Sequence, residues 1–155
     1  MAKRKSIKWD ETAGAGRNAQ REFPAMVAAY FTEGREILDN DPQPSDFHAL
    51  RLLTKRLRYT LELFRPCYGP GLRTRIAGLR RIQLCLGEIN DCVTAAAVLA
   101  DLPPKSTPLR KRVEQFLEER SQTLIAEFRR EWTQVFDAPG QERGWTVYLA
   151  RPRRK

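Results

Sequence analysis

Between Phe23 and Phe128 apolar side chains return every three or four residues, and the segments that keep this period are separated by short runs rich in Pro, Gly, Asn and Asp. That spacing lines one face of an α-helix, whereas a half-buried strand needs strict alternation. Residues 18 to 39 carry Phe23, Met26, Val27, Tyr30, Phe31, Ile37 and Leu38 in this pattern, with Pro24 compatible only with the first turn. The stretch "NDPQPSD" ends this helix, and Ser45 or Asp46 is the expected cap of the next, which should run to about Arg65 and stop ahead of Pro66. A third helix is expected from near Leu72. Gly87 and Asn90-Asp91 predict a break and recapping before "CVTAAAVLADL". After "PPKSTP" a last long helix should extend from Leu109 to about Phe136, and only "WTVYLA" at 145–150 hints at a strand. The prediction is an all-α antiparallel bundle of four to five helices over residues 17–137, with basic tails at 1–16 and 138–155.

A chain of 155 residues can bury one real core, and 41% hydrophobic with 30% charged residues is the balance of a globular protein. No apolar run approaching the roughly 18 residues of a membrane span stands out, so no membrane partner is expected. The start, "MAKRKSIKWDE", has no apolar core of a secretion signal. Cys67, Cys85 and Cys92 lack the spacing of a metal or redox motif, which predicts free thiols in a reducing, cytoplasmic setting.

The net charge of +9 is sorted along the chain. Residues 22–46 hold one basic and six acidic residues, whereas 47–83 hold nine basic and one acidic, a net +8 inside a segment that also reads as packed helix. On a helical wheel at about 100° per residue, Leu50, Leu53, Leu57, Leu61 and Phe64 form the packing stripe of the second helix. Arg51, Lys55 and Arg58 fall on the other side with His48 and Tyr59, a cationic row about 15 Å long that only Glu62 interrupts. Like charges three and four apart weaken a helix by a few tenths of a kcal/mol per pair. A face selected for helix stability alone would interleave glutamates, as residues 114–131 do. On the third helix Arg73 and Arg80 share one side, and Arg81 is turned about 100° away. Two adjacent helices could thus face a shared trough suited to a linear polyanion, with Arg supplying bidentate contacts and Lys a point charge.

"FHALRLLTKRLRYTLELF" followed by "LRRIQLCLGEINDCVTAAAVL" also resembles the CHAD domain, the conserved histidine α-helical domain. The likeness joins a His-x-x-Arg…Lys-Arg-Leu-Arg-Tyr helix to Ile82-Gln83, Leu86-Gly87 and Asn90-Asp91, and covers residues 47 to 99. It implies an all-helical, non-catalytic domain that binds inorganic polyphosphate, with His48, Arg51, Lys55, Arg56, Arg58 and Tyr59 at the signature positions. The wheel adds Arg73, Arg80 and Arg81, and Arg120, close to the stripe Val113, Phe116, Leu117, Leu124 and Phe128, either reaches the same trough or snorkels past the core edge. One copy of the histidine helix is present where a full domain would have two related halves, so a homodimer is expected to complete the cavity. His48 is expected to donate one hydrogen bond to a phosphate oxygen rather than act as a full cation.

One histidine supplies no Ser-His-Asp set, and the chain has no P-loop glycine run and no metal-ligand spacing, so neither catalysis nor a cofactor is expected. Two rival functions fit a basic face. A nucleic-acid binder would draw on the tails "AKRKSIK" and "ARPRRK", although Tyr59 alone among the aromatics accompanies the cations. The other rival is a scaffold for an acidic protein.

Overall fold

The computed structural model describes residues 8–103 and 107–151. Residues 1–7 of the expected N-terminal tail, with "AKRKSI" at 2–7, and the last four residues of the C-terminal one, "PRRK" at 152–155, lie outside the described residues, as does the middle of "PPKSTP". Five α-helices follow in order among the described residues: α1 (Ala15–Asp39), α2 (Pro44–Leu63), α3 (Gly71–Asp101), α4 (Pro108–Arg130) and α5 (Gln141–Leu149). A single 3₁₀ turn, Arg65–Cys67, links α2 to α3, and a π-helical turn, Glu131–Phe136, continues α4. The class is therefore all-α.

Cross-helix contacts show that successive long helices run antiparallel. Tyr30 hydrogen-bonds Thr54 and Phe23 packs on Phe64, aligning α1 with α2. Arg81 with Glu131 and Arg120 with Glu88 align α3 with α4 and its π turn. The core between them holds Phe23, Val27, Phe31, Phe47, Leu50, Leu61, Leu72, Leu79, Ile82, Leu86, Phe128 and Trp132.

The π turn draws the last aromatics into that core. The Asp137 amide reaches back five residues to the Trp132 carbonyl, and the widened turn leaves both Trp132 and Phe136 buried. Trp132 lies flat against α1 where Gly34 has no side chain; a Cβ at Gly34 would run into the indole ring.

Several boundaries differ from the sequence reading. The cap of α2 is Gln43, with Pro44 in the first turn; Asp46 occupies the third helical position and accepts the Gln43 amide at 2.8 Å, closing a capping box. α3 passes unbroken through Gly87 and Asn90-Asp91 for 31 residues. One helical glycine costs only about 1 kcal/mol, and buried Ile82, Leu86 and Ile89 hold the segment in a single helical register. The side chain of Asn90 does not cap; it is engaged across the helix pair by His48.

The expected C-terminal tail is structured through most of its length. "WTVYLA" is helix, not strand, because Trp145 and Leu149 lie four apart and both enter the core. Tyr68 donates to the Leu149 carbonyl at 3.1 Å, Tyr148 donates to the Gly69 carbonyl at 2.8 Å, and Arg35 bridges Asp137 and Glu142. Residues 138–151 thus belong to the helical domain. At the other end, Trp9 packs on Phe64 and Asn18 hydrogen-bonds the Asp10 backbone, so ordered structure begins before residue 17.

By length and composition α3 could cross a bilayer, a feature not anticipated from the sequence: an 18-residue window reaches a mean hydropathy of 1.3, with 17% of it buried. Here Leu72, Ile76, Leu79, Ile82, Leu86 and Ile89 of this helix form part of the bundle core.

Candidate functional site: the seam between α2 and α3

The two halves of the sequence signature meet along one seam. His48 Nδ1 lies 2.9 Å from Asn90 Oδ1, the Arg51 guanidinium lies over Gly87, and Arg58 Nε donates to Gln83 Oε1 at 2.9 Å. Positions on α3 fall as those on α2 rise, as an antiparallel pair requires. Gln83, Gly87 and Asn90 recur at three- and four-residue steps on the edge of α3 that faces α2, which is why those residues need that spacing. They belong to the site although the sequence reading treated them only as signature positions; the helical period linking them was the available signal.

Arg51 and Lys55 are half-buried, and neither side chain makes a hydrogen bond or ion pair with a described residue. Arg51 Nε is fully covered and has no acceptor. A Cβ at Gly87 would lie 4.0 Å from that nitrogen, so the glycine leaves the guanidinium room to lie against α3. A covered N–H without an acceptor costs about 1–3 kcal/mol. Arg51 is thus a cation held by the fold without a counter-ion among the described residues.

Arg58 is placed differently. Its side chain is only 11% exposed, donates to Gln83 and to Glu62 Oε1 at 2.7 Å, and stacks on Tyr59 with Cζ 4.2 Å from the ring centroid. Glu62 also accepts from Arg80 at 2.9 Å. Burial would raise the Glu62 carboxyl, but the hydrogen bonds from Arg80 and Arg58 outweigh it and hold the group below the usual 4.5. The one acidic residue of the row therefore engages two of its cations and leaves the His48–Arg51–Lys55 end unneutralised.

His48 is exposed and engages Asn90 Oδ1 through Nδ1, so Nε2 is the ring nitrogen left without a partner among the described residues.

The remaining predicted residues scatter. Tyr59 is half-exposed beside Arg58. Arg56 is exposed and sits about 140° around α2 from Arg51, away from the seam. Arg73 lies beyond the Glu62 end, where with Arg65 it borders a shallow recess of about 340 Å³ over Pro66 and Pro70. Arg81 is on the edge of α3 that faces α4 and its π turn, where its Nε pairs with Glu131 at 2.9 Å, and Arg120 lies on α4 itself and approaches Glu88 of α3 at 3.8 Å. The single shared trough expected from the wheels is thus divided, because α3 presents different edges to α2 and α4.

Cys67, Cys85 and Cys92 are free, and burial pushes the Cys85 thiol up. Among the described residues no group of three or more His, Cys, Asp or Glu could hold a metal ion.

An all-helical pair joined through a His–Asn contact and an Arg–Gly contact defines a class, and comparison with known families identifies it. The model of the CHAD domain matches residues 2–100, well over half of the chain, so the chain belongs to the CHAD domain family. The match ends near the end of α3, with α4, the π turn and α5 beyond it. No curated protein and no solved structure matches the chain.

Proposed function

We propose that the chain binds inorganic polyphosphate along the α2–α3 seam, as a binding module rather than an enzyme. The family is associated with polyphosphate binding. The observation that carries the reading to particular residues is the Arg51–Lys55 pair, two half-buried cations on one helix edge without counter-ions among the described residues. Each phosphate oxygen gained by such a cation adds a charge-assisted hydrogen bond, about twice as strong as a neutral one. Arg51 supplies a planar donor set and Lys55 a mobile point charge, with the exposed His48 ring at the end of the same row. Arg80, 61% exposed and held only by Glu62, can turn to the same anion. Arg58 positions Tyr59, Gln83 and Glu62 rather than meeting the ligand first.

Linear polyphosphate suits a seam that offers charge without base-reading groups. Single-stranded nucleic acid draws much of its affinity from aromatic stacking, and the face of Tyr59 is shared with Arg58. The test is a competition at matched phosphate concentration and near-physiological salt, in which bound long-chain polyphosphate is challenged with single-stranded and duplex DNA. Polyphosphate should remain bound. Ready displacement by either DNA would refute the assignment.

A further inference from the structure

The outer half of the α3–α4 hairpin extends past the core. The last buried side chain on α3 is Ile89, and the first buried apolar one on α4 is Leu124. Between those points the two helices have mainly each other to pack on. Arg110 fastens the tip, donating to the Leu102 carbonyl and to Glu114 at 2.8 Å.

This hairpin leaves an apolar strip uncovered. Leu109, Val113 and Phe116 recur at four and three residues on α4 and are 71%, 37% and 63% exposed. The antiparallel register set by Arg120–Glu88 and Arg110–Leu102 brings Val93 and Thr94 of α3 level with Phe116, and the alanine run 95–97 beside them is itself exposed. Leu102 adds 53% exposure at the tip. The strip is the outward side of the same apolar hairpin whose α3 window is mostly unburied.

The charges beside the strip select its occupant. Arg112 and Glu119 lie seven residues apart on one flank of Phe116, about 40° and 60° around the helix from it. The Arg112 side chain makes no hydrogen bond or ion pair with a described residue, and among the described residues the Glu119 carboxylate accepts only the Gln115 amide. A second α4 packed parallel would put the Arg112 and Glu119 flanks of the two copies on opposite sides of the seam, where they could not meet. Packed antiparallel about a twofold axis near Phe116, it sets Arg112 of each copy against Glu119 of the other, closing two ion pairs around the apolar strip. An isologous contact of this kind is the commonest way two copies associate. The aligned segment from Leu109 to Thr123 is about 21 Å long.

We infer that the outer face of α4 is a homodimer interface, with two antiparallel copies of the helix packed through Leu109, Val113 and Phe116 and registered by reciprocal Arg112–Glu119 pairs. The inference is independent of what the α2–α3 seam binds.

Sedimentation velocity over a concentration series, from low to high micromolar, tests it on the full chain. The wild type should be dimeric at the upper end, and Phe116→Glu should be monomeric with unchanged circular dichroism. Arg112→Glu and Glu119→Arg, each alone, should weaken association at least tenfold. An equimolar mixture of these two variants should dimerise again, because both cross-copy pairs become opposite in charge; restored association cannot arise from a folding defect. A wild type that stays monomeric throughout overturns the inference. So does a dimer that neither charge variant weakens, or a mixture that fails to associate.

Discussion

Arg51 and Arg58 sit seven residues apart on the same helix, yet their surroundings assign them opposite duties, and truncating each in turn separates binding from stability. Arg51→Ala removes a guanidinium with no protein partner and a covered Nε–H with no acceptor. The folded state loses little, and alanine is the better helix former, so stability should stay within about 1 kcal/mol of the wild type. Its cost should appear in binding: one lost set of charge-assisted contacts to phosphate is worth about 1.5–3 kcal/mol, or roughly 10- to 150-fold in Kd. Arg58→Ala removes hydrogen bonds to Gln83 and Glu62 and the stacking contact on Tyr59 from a side chain only 11% exposed. That should cost about 2–3 kcal/mol of stability, a fall in Tm of roughly 5–10 °C for a domain of this size. Its charge is already compensated by Glu62, so polyphosphate affinity should fall by less than about fivefold. Thermal melts and calorimetric titration of the two variants provide the readout. If Arg51→Ala lowered Tm as far as Arg58→Ala while polyphosphate binding was unchanged, the assignment of roles would be wrong.

Three other outcomes follow from the same geometry. Glu62→Gln releases Arg80 and Arg58 from their shared carboxylate and should tighten polyphosphate binding roughly fivefold by titration, about 1 kcal/mol of removed repulsion. The same substitution should flatten acid unfolding: the depressed Glu62 carboxyl contributes stability that is complete above the usual 4.5 and is lost as pH falls through its lowered value, so a wild type and variant with identical acid curves would contradict the pairing. Gly34→Ala places a methyl in the Trp132 ring and should destabilise the fold by about 2–3 kcal/mol in denaturant unfolding; an unchanged midpoint would mean that the π turn packs elsewhere.

What could be read from the sequence was largely what depends on one helix at a time. The stripe of α2 placed Leu50, Leu57 and Leu61 in the core correctly, while Leu53 and Phe64 sit at its edge and Phe47 and Thr54 replace them. Thr54 is buried because its hydroxyl donates to the Leu50 carbonyl and meets Tyr30 from α1 at 2.7 Å, a partner that no local pattern predicts. Gly87 and Asn90 look like helix-ending residues, but their partners, Arg51 and His48, lie on another helix, and tertiary contacts override the local signal. The cation row itself was legible. Its division was not: whether Arg80 or Arg81 faces α2 depends on how α3 is rotated between two neighbours, and the acidic partner Glu131 is contributed by a π turn some fifty residues away. "WTVYLA" carries strand-rich composition over six residues, too few to outweigh the burial of Trp145 and Leu149 on one helical face.

The central claim, that Arg51 and Lys55 are the cations that meet the polyanion, is tested most directly by the salt dependence of polyphosphate binding. For a single-stranded polyanion the logarithm of the affinity falls with the logarithm of salt at about 0.7 per phosphate neutralised. The Arg51→Ala/Lys55→Ala variant should therefore show a slope shallower than the wild type by about 1.4, together with weaker binding. A variant with the wild-type slope and affinity would place the polyphosphate contacts elsewhere on the chain.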